Sequence, residues 1–383
     1  MSNKKIKIAL MSYAFDERRG KGTALYAQKL IEQMLSDERF DFYLVHYKKS
    51  DVPIYARAKE IIMPKVRLPY GSHFISHLLF FWKYRNNQFD IIHWFQPRIY
   101  PLYSFAPAKK IIVTMHGAGD ISAPHDFIFS RFIFNIVLKY FHKSVDVAIV
   151  VSNHAKYEVE RYYNFSTEKI VSIYNGGGEN FQPIEKNKVI EVLKKYGILR
   201  PYILDISRFI PHKNVVTLIK AYTFFREKYP NHSELLVVVG GQTSQRRDEY
   251  DERDKSPFAK DIIFVPFVTD NDLNAIYSGA ELFVFPSLSE GFGLPVLEAM
   301  ASGTPVITSN VASMGEIGGE AVETIDPLDV EGLSDTVHNI LEDRPKMAKM
   351  RELGLIRAKE FTWKSTAEQT KSIYLEQFQK IKI

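Results

Sequence analysis

Residues 282–301 read LFVFPSLSEGFGLPVLEAMA. The apolar run Leu282–Phe285 has the length and composition of a buried strand. It stops at Pro286, and a loop carrying Gly291 and Gly293 follows. Pro295 suits the first turn of a helix, where its missing N–H costs nothing, so the reading predicts a helix over Leu294–Ala301. The N–H groups of Phe292, Gly293 and Leu294 then cluster at the helix start. A helix start with small flanking residues accepts anions, and here it lies at the carboxyl end of a strand, where open α/β sheets bind ligands. Glu290 precedes the helix and Glu298 lies within it. Their separation is about 800° of continuous helix, so they do not share one face. With a loop between them, both can address one ligand at different points. Equally, Glu298 can simply favour the positive end of the helix dipole.

The same strand–loop–helix rhythm extends in both directions. Strands are predicted at Ile6–Met11, Phe42–His46, Ile91–His93, Ile111–Met115 and Val145–Val151 in the first half. After residue 183 the pattern restarts with Tyr202–Ile206, Leu235–Val239, Ile262–Val265 and Pro305–Thr308 beside Leu282–Phe285. Helical spacing separates them, as in Thr23–Leu35 and Asn214–Lys228, and a long apolar helix is predicted over Phe127–Phe141. Short β-rich runs alternating with helices imply parallel βαβ units. The stretch Phe181–Leu199 reads as a connector plus a helix, so the chain divides into two similar-sized, Rossmann-like α/β halves. The charged segment Gln242–Lys260 reads as an exposed loop or frayed helix.

The chain has 383 residues, 45% of them hydrophobic, and no cysteine. That size accommodates two domains with substantial cores, and the missing cysteines exclude disulfides, iron–sulfur clusters and a thiolate nucleophile. No spanning helix is expected: the charge-free stretch Leu68–Trp82 is too short and carries Pro69, Gly71, His73 and His77. The N-terminus shows no apolar core with a cleavage site, so the protein is expected to remain in the cytoplasm. Net charge is +9 over residues 1–180 and −4 over 181–383. A basic first half suits phosphates or an anionic surface, but the cations are spread out and nucleic acid is not expected as a partner.

Three further positions could carry chemistry. Arg208 and Lys213, in Ser207–Asn214 (SRFIPHKN), follow a strand on the same rim as Glu290, and two cations there could clamp a diphosphate. His116 ends the strand Ile111–Met115 on the first half's rim, as a polar contact or proton handler. Gly20-Lys21-Gly22 opens the first helix, where glycine allows close backbone approach. It is not a full dinucleotide fingerprint, because Leu25 stands at the last glycine position, and a dehydrogenase is disfavoured. His73, His77, His125, His142, His154 and His212 show no metal spacing, and no G-x-S-x-G, Walker A or H-E-x-x-H motif occurs.

Taken together, EGFGLPVLEAMASGTPVITSN (Glu290–Asn310) resembles the most specific signature of the retaining glycosyltransferases of family four, the group 1 glycosyltransferases, with Glu-x7-Glu at Glu290 and Glu298. SRFIPHKN, VPFVTDNDLNAIYSGAELFVFPS, SMGEIGGEAVETIDPLD and the tail FTWKSTAEQTKSIY keep the family's order. GKGTALYAQKL, VTMHG, AIVVSNHAKYEV and IYNGGGENF resemble its first half. The resemblance implies the GT-B fold: two Rossmann-like domains whose parallel sheets face each other across a cleft. It places an acceptor-binding domain over 1–183, a nucleotide-sugar donor domain over 184–365, and a closing helix over 366–383 that packs back on the first domain.

Residue by residue, the resemblance implies that Arg208 and Lys213 hold the donor diphosphate and Glu298 the ribose. Glu290, with the N–H groups of Phe292 and Gly293 in the run Gly291–Leu294, contacts the transferred sugar. Val265, Phe267 and Val268 line the base, Gly22 approaches the donor phosphates or acceptor, and His116 lies beside the reacting carbon. Three departures stand out: G-K-G in place of the common G-G, Asn175-Gly176-Gly177-Gly178 in place of N-G-V-D, and Pro266 where glycine is common. They bear on the acceptor side and the base, not on the reaction class.

The expected reaction moves a hexose from a UDP- or GDP-sugar to a saccharide or lipid-linked saccharide acceptor in cell-envelope polysaccharide or lipopolysaccharide synthesis. The resemblance implies retention by front-face attack without a protein nucleophile. Cations and a helix dipole are expected in place of a metal, and no other cofactor. A sugar-nucleotide epimerase or glycosyl phosphorylase on the same architecture is the alternative. The aromatic and basic region 67–105 reads either as core helix plus loop or as a peripheral membrane face.

Overall fold

The computed structural model describes residues 5–13, 22–48, 53–64, 66, 72–86, 88–96, 100–117, 142–240, 247–266 and 268–382. The predicted Phe127–Phe141 helix lies outside the described residues. The chain divides into two compact units. Unit 1 comprises Met1–Asn175 and Trp363–Ile383, and unit 2 comprises Gly176–Thr362.

Unit 1 holds a seven-stranded sheet of β1 (Ile6–Met11), β2 (Phe40–His46), β3 (Lys59–Ile62), β4 (Phe89–Trp94), β5 (Ala108–Met115), β6 (Val147–Val150) and β7 (Ile170–Ser172). The spatial order is β3-β2-β1-β4-β5-β6-β7, and every pair is parallel. The central strand β4 is buried along its whole length, as expected where both faces of a parallel sheet are covered. The last helix, Trp363–Lys382, belongs to this unit. Its Tyr374 hydroxyl lies 2.6 Å from His93 Nδ1 on β4, and Thr366 Oγ1 donates to the Tyr174 carbonyl at 2.8 Å. Lys371 Nζ lies 3.1 Å from Asp37 with both side chains largely buried.

Unit 2 holds a six-stranded parallel sheet of β8 (Tyr202–Ile206), β9 (Leu235–Val239), β10 (Ile262–Val265), β11 (Leu282–Phe285), β12 (Val306–Ser309) and β13 (Val322–Ile325), in the order β10-β9-β8-β11-β12-β13. The helices Val215–Lys228 and Val330–Glu342 close one core over Ile203, Leu236 and Val284. The segment Gly176–Ile184 packs within this unit: Gln182 N donates to Asn274, Ile184 N to Ser278, and a Cβ on Gly177 would stand 3.2 Å from Leu294. The division therefore falls at 175/176, with the second at 362/363. The sequence reading put these boundaries at 183/184 and 365/366.

Candidate active site

In unit 2 the strand order reverses between β8 and β11, which pair directly through Leu282 with Ile203 and Phe283 with Leu204. The loops after these strands rise side by side from the sheet's carboxyl edge, the usual ligand crevice of such folds. Their polar residues bind them together. Asn214 sits in the left-handed region at φ 60°, which Asn tolerates better than most residues. Its Nδ2 donates to the carbonyls of Pro286 at 3.0 Å and Pro327 at 2.7 Å. The His212 carbonyl accepts from Leu288 N at 2.7 Å and Ser287 Oγ at 2.9 Å. From the end of β12, Ser309 Oγ donates to Ser287 O at 2.6 Å, and from the loop after it Ser313 Oγ donates to Glu290 O at 3.0 Å.

Glu290 is the centre of this network. Its Oε1 receives the Lys213 ammonium and, at 2.9 Å, the Ser287 hydroxyl. The Lys213 and Glu290 side chains are only 14% and 15% exposed, so the pair is more strongly coupled than a surface ion pair. Lys213 Nζ also stands 4.8 Å from the Phe285 ring centroid, a favourable cation–π placement. Arg208 is exposed, and no described carboxylate pairs with it. Beneath the rim, Asp205 is wholly buried on β8. Its Oδ1 accepts from Ser207 Oγ at 2.9 Å, and its Oδ2 has no partner among the described residues. Burial pushes its pKa up to about 7 against the opposing hydrogen bond from Ser207 and the charge of Lys213.

The helix Leu294–Ala301 starts at Gly293, whose φ of 98° is left-handed. A Cβ there would come within 3.1 Å of Met314 Sδ, so the conformation requires glycine and the Met314 side chain would have to give way to any larger residue. Glu298 lies beyond the first turn of this helix, and its Oε2 accepts from the buried Tyr277 hydroxyl at 2.9 Å. It is thus oriented by a specific side chain and not only by the dipole. Val265 ends β10 and Val268 is buried just beyond it. Phe267 lies outside the described residues.

In unit 1, Gly22 opens the helix Gly22–Met34 after β1, and nothing stands within 4 Å of a Cβ built there. Gly20 and Lys21 lie outside the described residues. His116 follows β5, and its Nε2 donates to the Phe95 carbonyl at 3.1 Å. That bond fixes the proton on Nε2 and makes Nδ1 the acceptor. The Tyr26 ring packs edge-on at 5.0 Å. Burial pushes the His116 pKa down to about 4, so the ring is neutral near pH 7 and suits a polar contact better than a proton store. His93 behind it is buried and neutral too, with a pKa near 3, between Tyr374 and Thr114 Oγ1 at 2.8 Å.

The fold therefore gathers Lys213, Glu290, Gly291–Leu294 and Glu298 on one rim of unit 2, with Arg208 on the same loop as Lys213. Gly22 and His116 sit on unit 1. Sequence reasoning passes over Asn214, Ser287, Tyr277 and Asp205. A polar residue just after a strand, as at Ser287, or just before a helix, as at Asn214, is a usable signal. Tyr277 gives none, since a tyrosine on an apolar helix face reads as core.

Residues 191–355 match the sequence family described as glycosyl transferases group 1, and residues 21–176 match glycosyltransferase family 4. The O-antigen chain mannosyltransferase B of Escherichia coli is 32% identical over 274 residues, covering 70% of this chain and 70% of that protein. Among solved structures, the sucrose-phosphate synthase of Thermosynechococcus elongatus superposes with a TM-score of 0.78 at 22% identity, over 98% of this chain and 99% of that one. Anabaena HepE in complex with UDP and glucose superposes at 0.76 and 16% identity, over 97% and 100%.

Proposed function

The chain belongs to the group 1 glycosyl transferases and has their GT-B fold, and from that premise we propose that it is a retaining mannosyltransferase. It moves a mannosyl group from a nucleoside-diphosphate sugar to a saccharide or lipid-linked saccharide acceptor of the O-antigen type. The observation that carries this reading is the Lys213–Glu290–Ser287 cluster beside the start of the helix Leu294–Ala301. The likeness to the Escherichia coli mannosyltransferase supports mannose as the sugar, and the UDP bound by HepE supports a nucleotide-sugar donor.

The chemistry follows from charge. As the glycosidic bond breaks, negative charge gathers on the departing diphosphate and positive charge on the sugar ring. Lys213 has three donors, so it can keep Glu290 and still bind a phosphate oxygen. Arg208 offers a planar fork on the same loop. The positive end of the dipole of the helix Leu294–Ala301 adds fixed charge at the same loop. Glu290 contacts the transferred sugar, and Glu298, oriented by Tyr277, holds the ribose. Val265, Phe267 and Val268 line the base. Gly22 approaches the donor phosphates or the acceptor, and His116, neutral and accepting through Nδ1, contacts the sugar near its reacting carbon. Attack proceeds from the front face, so the anomeric configuration is retained without a protein nucleophile.

On the acceptor side, the helix Ser72–Tyr84 buries Phe80 and Phe81 and exposes Phe74, Leu78, Leu79 and Trp82, with the Arg85 guanidinium 4.6 Å over the Trp82 ring. An apolar stripe edged by cations suits an anionic membrane surface, where a lipid-linked acceptor resides. Among the described residues no helix is long and apolar enough to cross a membrane.

The deciding experiment offers UDP- and GDP-sugars with and without lipid-linked saccharide acceptors and follows both product and anomer. Acceptor-dependent transfer of mannose with retention, unaffected by EDTA, is the expected result. Epimerisation or phosphorolysis of the donor without acceptor would overturn the reading. Sedimentation with liposomes should rise with their anionic lipid content and fall for Trp82→Ala; indifference to lipid charge removes the membrane contact alone.

A further inference from the structure

On the opposite rim of unit 2 from these loops, three side chains converge that the glycosyl chemistry does not use. His232 lies in the turn between the helix Val215–Lys228 and β9. His338 and Glu342 stand one turn apart at the end of the helix Val330–Glu342. His232 Nε2 is 3.0 Å from His338 Nδ1 and 3.5 Å from Glu342 Oε1. All three ligand atoms lie within 4.8 Å of one another. A tetrahedral zinc ion with bonds of ~2.0–2.1 Å sets its ligand atoms about 3.3 Å apart, and the two measured separations bracket that value.

The surroundings favour ligation over a bare hydrogen bond. His232 is 9% exposed, and its Nδ1 lies 3.2 Å from Glu234 Oε2. A carboxylate can only accept from that nitrogen, so Glu234 holds the proton on Nδ1 and turns the Nε2 lone pair towards His338. This is the carboxylate–histidine arrangement that orients metal-bound imidazoles and raises their basicity. His338 is fixed independently by stacking on Tyr229, with centroids 3.7 Å apart and planes 7° apart. The cluster lies where two helices end, and helix carboxyl ends favour a cation.

We propose that His232, His338 and Glu342 bind one divalent ion of the zinc class, with water completing the tetrahedron. Imidazole and carboxylate ligands suit that class, whereas magnesium and calcium prefer all-oxygen sites. On binding, the His338 proton moves to Nε2 and Nδ1 becomes a ligand, so two neutral imidazoles and one carboxylate face the ion. The ion clips the turn before β9 to the end of the helix Val330–Glu342. It lies on the amino-end rim of the sheet and takes no part in sugar transfer.

The test titrates the chelator-stripped full chain with zinc against a chromophoric competitor, and with cobalt by visible absorption. One equivalent of zinc, the intense visible bands of tetrahedral cobalt and a midpoint raised by several degrees are expected. Glu342→Gln, at an exposed position that cannot unfold the domain, should weaken binding at least tenfold, as should His338→Ala. Glu234→Gln should cost ~10–100-fold while leaving all three ligands in place. No zinc binding below ~100 µM, against the far tighter binding usual at built zinc sites, overturns the proposal. So does binding that Glu342→Gln and Glu234→Gln both leave unchanged, because the ion then sits elsewhere.

Discussion

Asp205 and Glu290 are two carboxylates of one rim in opposite circumstances. Glu290 has a lysine and a serine on one oxygen, and Asp205 is buried with one oxygen unpartnered. Because the folded pKa of Asp205 is raised to about 7, the folded state holds its proton more tightly than the unfolded chain. Its contribution to stability is full below the ordinary aspartate range and is lost as pH rises through about 7. Asp205→Asn should therefore flatten the dependence of unit 2's melting midpoint on pH and raise the midpoint at pH 8. An unchanged slope would mean that Asp205 is already ionised at neutral pH. Glu290→Ala should lower kcat by ~10²–10³, the scale of one lost transition-state contact, with little effect on nucleotide affinity. Equal loss of both would assign Glu290 to nucleotide binding. Lys213→Ala should remove most of the thermal shift given by the cognate nucleoside diphosphate, since it strips the pocket of its half-buried cation.

At the scale of elements, the site depends on where the helix Leu294–Ala301 begins. Gly293→Ala forces an L residue to φ 98° and drives its Cβ towards Met314. A cost of ~1–3 kcal/mol follows, lowering unit 2's midpoint by several degrees. Activity should fall further than stability, because the helix start proposed to meet the donor turns with this residue. This helix and its strand were legible in the sequence, as were the central strands β1, β4, β8, β9 and β11, because buried parallel strands are continuous apolar runs. Three strands were not. β3, β7 and β13 are sheet edges of three or four residues with half-exposed faces, so no such run marks them. Likewise the position of Arg208, Lys213 and Glu290 in loops that follow strands, and of Glu298 within the helix, could be read from the sequence. The pairing of Lys213 with Glu290 and of Tyr277 with Glu298 could not, since each joins segments far apart in the chain.

For the molecule as a whole, the two units should respond to pH in opposite senses. In unit 1, desolvation pushes the pKa of the buried His93 down to about 3 and that of the half-buried His116 down to about 4. Depressed values mean stability that is present above the ordinary histidine pKa of ~6.5 and is lost as pH falls towards 3–4. Unit 2 loses the Asp205 contribution on the alkaline side. Calorimetry between pH 4 and 8 should resolve two transitions, with unit 1 melting first in acid and gaining on unit 2 towards pH 8. A single transition keeping one shape throughout would show that the units unfold as one. The order in which the chain is made adds a different constraint. Because the helix Trp363–Lys382 completes unit 1 while all of Gly176–Thr362 forms unit 2, the ribosome delivers the later unit whole before the earlier one can close. Until the last turns leave the exit tunnel, the faces of β4 and β5 that this helix covers stay open, and a nascent chain stalled before residue 363 should bind chaperones through its first half alone.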